Sequence, residues 1–537
     1  MGSNWSDSRK QNLLFAVCAA GIFLLQLYKA RLGLGSNDEQ FYTTLGYRLV
    51  QGDSLFFDDW HIAQMISSFL YLPVKAFISV HGSTEGILLY MRILYSMFTE
   101  IVGIALYCHF RRQGGRAIAA ACAYMLFTPF SIQALSYNTM SVGFLILSLL
   151  FLDHHTKAGD FFSGLFLACA VLNTPYLLAL YLVALILTIW KPDKMAHGTF
   201  FRITCGAFCI AILFCALVFS RATFSEVLQG LPHLIDPSHQ DSILMHIAKN
   251  GYRLLTIYHV FLVLYAALLI WALKIRRNHG DPEKAMFAAR VICAVSIVYV
   301  TFISPYHPNL GGYSVVLIPF AGYGLLKAIY ESHDSFEELC FAVSLIHSFL
   351  ISISSNVGPG SFSGPMILAC AITMLWMNHG KGESVSAALF LSVLLFVKVI
   401  SVYDGSGDYS VKVQHGPLAG LYDSEENSQE YEQTLSDMEA INAEEGKSVI
   451  LVSQRTWAYL ALQKPIASIS TYQYLLEPEQ FMEVQEEYLT LHPDDFPVLI
   501  YADKEDSLYG LENLKEWLAK GEMVCELQNG ILYRRER

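Results

Sequence analysis

Residues 11–29 read QNLLFAVCAAGIFLLQLYK, an almost continuous apolar run, and this stretch decides the class of fold. It has the length at which an α-helix crosses the hydrocarbon core of a bilayer, about 20 residues. Hydrophobic residues make up 54% of the chain and charged residues only 15%, against roughly 25% charged in soluble domains. We count about thirteen such runs, at 11–29, 86–109, 117–133, 138–153, 161–173, 175–190, 200–220, 252–273, 286–304, 313–330, 336–354, 364–378 and 385–403. The sequence therefore predicts a polytopic α-helical membrane protein.

Charge separates the last part of the chain from the rest. Residues 404–537 hold 26 acidic and 10 basic residues, whereas residues 1–403 hold 21 acidic and 25 basic ones. Phosphate contacts need Lys and Arg, so this acidic tail argues against nucleic acid as a partner. The tail also shows strand patterns at 448–452 and 497–501, helix patterns at 479–491 and 511–520, and a hairpin signal at Asn529-Gly530. We predict a transmembrane domain at 1–403 and a soluble acidic α/β domain at 404–537.

The basic residues of the short loops predict the orientation. Arg and Lys collect in the loops at 111–116, 191–194 and 274–277, and are missing from the alternate loops at 131–137, 305–312 and 356–364. Basic loops face the cytoplasm. Because the span count is odd, the tail is expected on the extracytoplasmic side; if 161–190 holds one span instead of two, the tail changes side.

The first external loop, at 31–82, is long and contains two helix patterns. Asp38, Tyr42, Leu45 and Leu49 share one face of the first, and apolar residues dominate the second, at 62–80. Both patterns are typical of helices that lie at the membrane surface. A second external loop is expected at 222–250.

Two acidic motifs in the first loop are candidates for chemistry. Asp38-Glu39 follows the first span, and two carboxylates there suit a general base and its partner or, alternatively, a solvated loop.

The second motif is Asp58-Asp59-Trp60-His61, which suits acceptor binding or a Mg²⁺ or Mn²⁺ site. In the simpler interpretation, Asp58 or Asp59 caps a surface helix.

Ionisable residues inside the predicted spans are functional candidates, because burying a charge in a bilayer is unfavourable. Arg92, Arg221, His307 and Lys398 lie near outer span ends, where they could surround an anionic headgroup or anchor the helices at the interface. Glu100 lies deeper and would suit a proton-coupled carrier. A transporter of a lipid or small solute is therefore the alternative function, although no repeat relates the two halves of the chain.

The first span, the Asp-Glu pair and the long loop together resemble the GT-C superfamily of membrane glycosyltransferases, with ArnT, protein O-mannosyltransferase and RgtA-like enzymes as the most similar types. The resemblance rests on residues 35–73, especially NDEQFY at 37–42 and GYRLVQG at 46–52. It extends to the tail, because bacterial members often end in an external α/β domain.

This resemblance implies an integral protein of a bacterial plasma membrane that takes a sugar from a polyprenyl-phosphate donor. Asp38 would be the catalytic base, and Glu39 would help to shape the acceptor site. From their positions and chemistry, and without a family counterpart, Arg92, Arg221 and His307 are the candidates for binding the donor phosphate, and Asp58, Asp59 and His61 those for binding the acceptor or a metal. The acceptor would be a glycan, a lipid or a protein, and one base with direct displacement would invert the anomeric centre.

Overall fold

The computed structural model describes residues 2–35, 37–190, 196–234, 243–278, 283–303, 314–353, 363–377, 381–403, 405–472, 478–505 and 512–537. Among the described residues up to 400, the regular elements are helices. Its helices are α1 Gly2–Lys29, α2 Asn37–Gln51, α3 Ser67–His81, α4 Ile87–Phe110, α5 Gly115–Leu126, α6 Tyr137–Leu152, α7 Lys157–Asn173, α8 Leu178–Trp190, α9 His197–Phe219, α10 Phe224–Gly230, α11 Ile243–Arg277, α12 Glu283–Ile303, α13 Ser314–Tyr330, α14 Ser335–Ile353, α15 Ser363–Trp376 and α16 Lys381–Ile400. Short 3₁₀ turns precede α3 and α8.

Each of the thirteen predicted spans coincides with a helix, so the protein is a multi-span α-helical membrane protein. Among the described residues, six helical stretches are long and apolar enough to cross a membrane, and seven shorter helices are also apolar. One of the six, Ile62–His81, is the helix that the sequence places at the membrane surface. Within the fold it packs on α2, where Gly46 lies against Leu70 and Val74. Its surface position stays a prediction.

The doubtful region at 161–190 holds two helices that Pro175 separates. Near their N-terminal ends, α7 and α9 are joined by an ion pair in which Arg202 Nη2 lies 2.6 Å from Asp160 Oδ2. One turn further along, Gly164 and Gly206 let the two backbones touch, since a Cβ on Gly164 would lie 1.9 Å from the Ile203 carbonyl oxygen. Helices α7 and α9 therefore run in the same direction, and α8 must return between them. This geometry supports the odd number of spans.

The tail is built around a four-stranded sheet. Its elements are β1 Val411–Lys412, β2 Tyr422–Asp423, α17 Glu425–Ala443, β3 Ser448–Val452, α18 Ala458–Ala461, α19 Pro478–Leu491, β4 Val498–Asp503, α20 Glu512–Leu518, β5 Glu522–Glu526 and β6 Gly530–Arg535. The strand order is β3-β4-β6-β5, in which β3 and β4 are parallel and the other pairs antiparallel. The predicted mixed α/β tail is thus confirmed. The sequence interpretation missed α17.

The tail lies directly on the first loop. The amide of Gly33 donates to the carbonyl of Tyr422 at 2.8 Å, and the amide of Tyr422 donates to the carbonyl of Arg31 at 2.7 Å. Trp60 is fully buried in the same hydrophobic cluster as Ile450 of β3 and its neighbours in the sheet. The division at residue 403 stays a prediction, but the tail shares part of its hydrophobic core with the first loop.

Candidate active site

Asp38 lies in the first turn of α2 and is only half-buried. Tyr403, just beyond α16, donates its hydroxyl to Asp38 Oδ2 at 3.3 Å. Tyr472 of the tail is hydrogen-bonded to the same carboxylate, and burial together with the Asp38 charge raises the pKa of the Tyr472 hydroxyl. Burial likewise raises the pKa of Tyr42, one turn along α2. These hydroxyls therefore stay protonated at neutral pH, and Asp38 accepts hydrogen bonds from two of them.

Glu39 points in another direction and is bound to Arg92. Arg92 Nε lies 2.5 Å from Glu39 Oε1, and Arg92 Nη2 lies 2.7 Å from Glu39 Oε2. Arg92 Nη1 donates to the carbonyls of Ala30 and Leu32, at 2.9 and 3.2 Å. Both charged side chains are buried, at 2% and 3% exposure. This bidentate pair joins α4, the end of the first span and the first turn of α2.

Gly35 is required beside this pair. Its φ of +78° lies in the left-handed region, and a Cβ there would lie 2.7 Å from Glu39 Oε2. The sequence interpretation gave Glu39 a role at the acceptor and Arg92 a role at the donor phosphate. The structure gives each of them the other as its main partner, so those two roles stay predictions.

A narrow cavity lies next to Asp38, where α1 and α16 end. Its lining residues are Lys29, Leu32, Glu39, Arg92, Ser131, Gln133, Ser401, Val402 and Tyr403. Lys29 Nζ donates to the carbonyls of Val399 and Ser401, at 3.0 and 2.5 Å, which accounts for two of the three N–H donors of an ammonium group. The Oε1 atom of Gln133 is buried without a hydrogen-bond partner. The cavity thus holds a cation and an unsatisfied acceptor next to the carboxylate.

Arg221 lies away from this cavity. Its Nη1 donates to the carbonyls of Leu49 and Asp53, at 2.5 and 3.3 Å, and its guanidinium carbon lies 4.9 Å from the Tyr71 ring centre. These contacts fix the end of α9 to the first loop. A phosphate role for Arg221 stays a prediction, and His307 lies outside the described residues.

Asp58, Asp59 and His61 belong to a buried polar network between the first loop and the tail. Asp58 accepts from the Ser54 amide at 2.5 Å, and its other oxygen lies 3.1 Å from His492 Nε2 of the tail. Asp59 accepts from the amide of His61 at 2.9 Å. Among the described residues, no group of three or more His, Cys, Asp or Glu side chains could hold a metal ion. The helix cap is neither aspartate but His61, whose Nδ1 accepts from the Ala63 amide at 2.9 Å.

The Asp58–His492 contact changes the pKa values of both side chains. Burial favours the neutral form of each group, but the mutual hydrogen bond opposes it. As a result the pKa of Asp58 is lowered and the pKa of His492 is raised. Each shift favours the charged form of its group, so the contact between the first loop and the tail is strongest when both groups are charged.

Glu100 and Lys398 are buried among the helices. Lys398 Nζ donates to Thr128 Oγ1 at 2.5 Å, and Glu100 Oε1 is buried without a hydrogen-bond partner. Neither residue lines the cavity beside Asp38.

No protein-family model matches the chain, and no curated protein sequence matches it. Two solved structures resemble it over nearly its full length. ArnT from Cupriavidus metallidurans bound to undecaprenyl phosphate is 10% identical with a TM-score of 0.38, and the match covers 99% of this chain and 98% of ArnT. The Archaeoglobus fulgidus oligosaccharyltransferase tethered with an acceptor peptide is 11% identical with a TM-score of 0.45, covering 98% of this chain and 74% of that one.

These identities and TM-scores are too low to transfer a family, a substrate or a residue role to this chain. This likeness concerns the layout of the fold, and the residue roles follow from the geometry of this chain alone.

The sequence interpretation missed four residues of the site: Lys29, Gln133, Tyr403 and Tyr472. A signal existed for Lys29 and Tyr403, because a polar residue at the last turn of a span lies at headgroup depth. No sequence pattern marked Tyr472, which reaches Asp38 from more than 400 residues away in the chain.

Proposed function

We propose that the protein is a glycosyltransferase that moves a sugar from a polyprenyl-phosphate donor to an extracytoplasmic glycan, lipid or protein. The observation that carries the proposal is the position of Asp38. Its carboxylate is half-buried, is oriented by tyrosine hydroxyls, and lies beside a cavity that contains the Lys29 ammonium group. Glu39, the neighbouring carboxylate, is engaged by Arg92 and is less suited to proton transfer.

The depth of the site suits a lipid-linked donor. A polyprenyl chain stays in the bilayer and holds its phosphate at headgroup level, which is where the first span ends at Lys29. The sugar then projects toward α2 and the tail. In this pose the ammonium group of Lys29 faces the phosphate, and Asp38 faces the acceptor.

The proposed reaction has one displacement step. An acceptor hydroxyl loses its proton to a carboxylate oxygen of Asp38 as its oxygen attacks C1 of the donor sugar. The bond between C1 and the phosphate oxygen breaks, and polyprenyl phosphate leaves with the bonding electrons. Lys29 stabilises the negative charge on this leaving group. Attack opposite the leaving group inverts the anomeric centre.

The test is the substitution Asp38→Asn, which keeps the size of the side chain and an oxygen that accepts from Tyr403. The sugar transfer rate, measured as polyprenyl phosphate released from a panel of polyprenyl-phosphate sugars, should fall by about 10²- to 10⁴-fold. Donor binding should persist. The exposed Asp494→Asn is the matched control and should transfer at the parental rate. Parental transfer by a folded Asp38→Asn variant would exclude Asp38 as the base.

The proposal also requires the site to face away from the cytoplasm of a bacterial plasma membrane. Protease added to right-side-out cells should digest the tail, whereas inverted vesicles should protect it. The opposite pattern would place the site on the cytoplasmic side and contradict the proposed acceptor location.

A further inference from the structure

A second and roomier cavity lies between the tail and the start of α2. Its volume is about 210 Å³, against about 10 Å³ for the narrow cavity beside Asp38. Gln40 forms part of one wall, and the tail contributes Asn427, Glu430, Tyr431, Arg455 and Trp457. Neither the reaction at Asp38 nor the contact network around Asp58 uses these tail residues.

The lining of this cavity suits a polyhydroxylated ligand. Carboxylate and amide oxygens accept hydrogen bonds, and amide and guanidinium N–H groups donate them, so both partners of a hydroxyl group are present. Tyr431 and Trp457 form an adjoining aromatic wall, with ring centres 4.4 Å apart. A sugar has hydroxyls at its rim and C–H groups on its faces, and therefore matches a wall of this mixed kind.

The charges of the cavity favour an uncharged ligand. Arg455 binds three carboxylates, those of Glu430, Asp503 and Glu505. One guanidinium is therefore outnumbered by its carboxylate partners, and an anionic ligand would meet net repulsion. Asp423, a further acidic residue of the wall, strengthens this bias.

The cavity is a neighbour of the narrow cavity beside Asp38. Glu39 lines the narrow cavity beside Asp38, and the next residue, Gln40, lines this one. Gln40 Nε2 donates to the carbonyls of Leu34 and Gly35, at 3.1 and 3.2 Å, which fixes the wall between the two cavities. Consecutive helix residues are only about 1.5 Å apart along the axis. The two cavities therefore lie next to each other at the first turn of α2.

We propose that this second cavity binds an uncharged saccharide unit of the acceptor, next to the unit that receives the sugar. The inference rests on the proposed function, since it makes the acceptor a glycan or glycolipid. It assigns the tail the task of acceptor selection, in addition to the Tyr472 hydroxyl that the tail supplies to Asp38.

Saturation-transfer NMR on the full chain in detergent tests this assignment. The probes are methyl α-glucoside, α-mannoside and α-galactoside, with methyl α-glucuronide as the anionic counterpart. At least one neutral glycoside should bind with a millimolar Kd, and the glucuronide at least tenfold more weakly. Asn427→Ala should raise the Kd of the neutral glycoside at least fivefold. Glu430→Gln should reduce the ratio between the Kd of the anionic probe and the Kd of the neutral probe.

The control is Glu432→Gln, an exposed carboxylate on the same helix that lies outside the cavity lining. It should bind every probe as the parent does. Failure of all neutral glycosides to bind, or unchanged binding in both cavity variants, would overturn the inference.

The outcome is separable from that of the proposed function. If sugar transfer depends on Asp38 but no glycoside binds, the saccharide site is excluded and the proposed transferase function stands. If the parent protein consumes no donor but glycosides still bind, also to the Asp38→Asn variant, the transferase function is excluded and the saccharide site stands.

Discussion

Replacing Arg92 tests whether this buried cation is a clamp or a donor ligand. In the structure Arg92 binds both oxygens of Glu39 and two carbonyls of the chain that links α1 to α2. Arg92→Met keeps an unbranched apolar stem and removes the charged guanidinium group. Glu39 is then a carboxylate at 2% exposure without its cationic partner.

The expected effect follows from this burial. Removing one partner of a buried ion pair is destabilising by about 3–5 kcal/mol. With about 2.1 cal/mol/K of unfolding entropy per residue, a cooperative unit of residues 1–403 loses about 1.2 °C per kcal/mol, so the Tm should fall by about 4–6 °C. Glu39→Gln should act in the same direction, because it leaves Arg92 buried and unpaired. The double variant Glu39→Gln/Arg92→Met should be less destabilised than the sum of the two single variants.

The assay pairs thermal unfolding of the full chain in detergent with binding of undecaprenyl phosphate. Lys520→Met is the control, because it removes an ion pair whose lysine is 52% exposed and which should be worth under about 1 kcal/mol. A parental Tm in Arg92→Met, together with weakened lipid binding, would refute the clamp and restore Arg92 as a phosphate ligand. Strict additivity in the double variant would also contradict a direct pair.

Two further predictions concern Lys29 and His492. Lys29→Met should weaken undecaprenyl phosphate binding about tenfold to a hundredfold, because it removes one charged hydrogen bond of roughly 1.5–3 kcal/mol. The control Lys75→Met on α3 should bind as the parent does. Equal affinity in the two variants would exclude Lys29 from the donor site. His492→Gln should lower the Tm most between pH 3.8 and 6.5, the ordinary pKa values of its partner Asp58 and of histidine. The stabilisation by the raised histidine pKa is lost as pH rises above 6.5, and that by the lowered Asp58 pKa is lost as pH falls below 3.8. A Tm difference that is constant from pH 4 to pH 9 would exclude the ion pair.

The membrane spans could be predicted from the sequence, because a helix that crosses a bilayer must be both long and apolar. The face of α2 was also predictable, since Leu45 and Leu49 recur at helical spacing and are both buried. Helix α17 was missed for the converse reason. Glu425–Ala443 is strongly acidic, and its buried residues, such as Leu435 and Met438, are diluted among polar ones. Such a helix is stabilised by the tail core and is not evident from its own pattern.

The site was only partly predictable. Asp38 could be selected because its position after the first span is a property of the linear sequence. The partner of Arg92 could not be selected, because an arginine at a span end has the same local sequence whether it faces a lipid phosphate or a carboxylate 53 residues away. Which of two adjacent carboxylates is engaged depends on tertiary contacts, and these assign Glu39 to the clamp and leave Asp38 accessible.

The contacts of Asp38 explain why the transmembrane part and the tail would need each other. The carboxylate comes from α2, one hydroxyl from Tyr403 at the end of the last span, and another from Tyr472 of the tail. Lys29 holds the carbonyls at the end of α16 and so fixes the backbone just before Tyr403. A displacement of the tail would therefore remove Tyr472 from Asp38, and a displacement of α16 would remove Tyr403. The orientation of the proposed base thus depends on the docking of all three segments, and the buried pairs Arg92–Glu39 and Asp58–His492 stabilise that docking from two sides of the first loop.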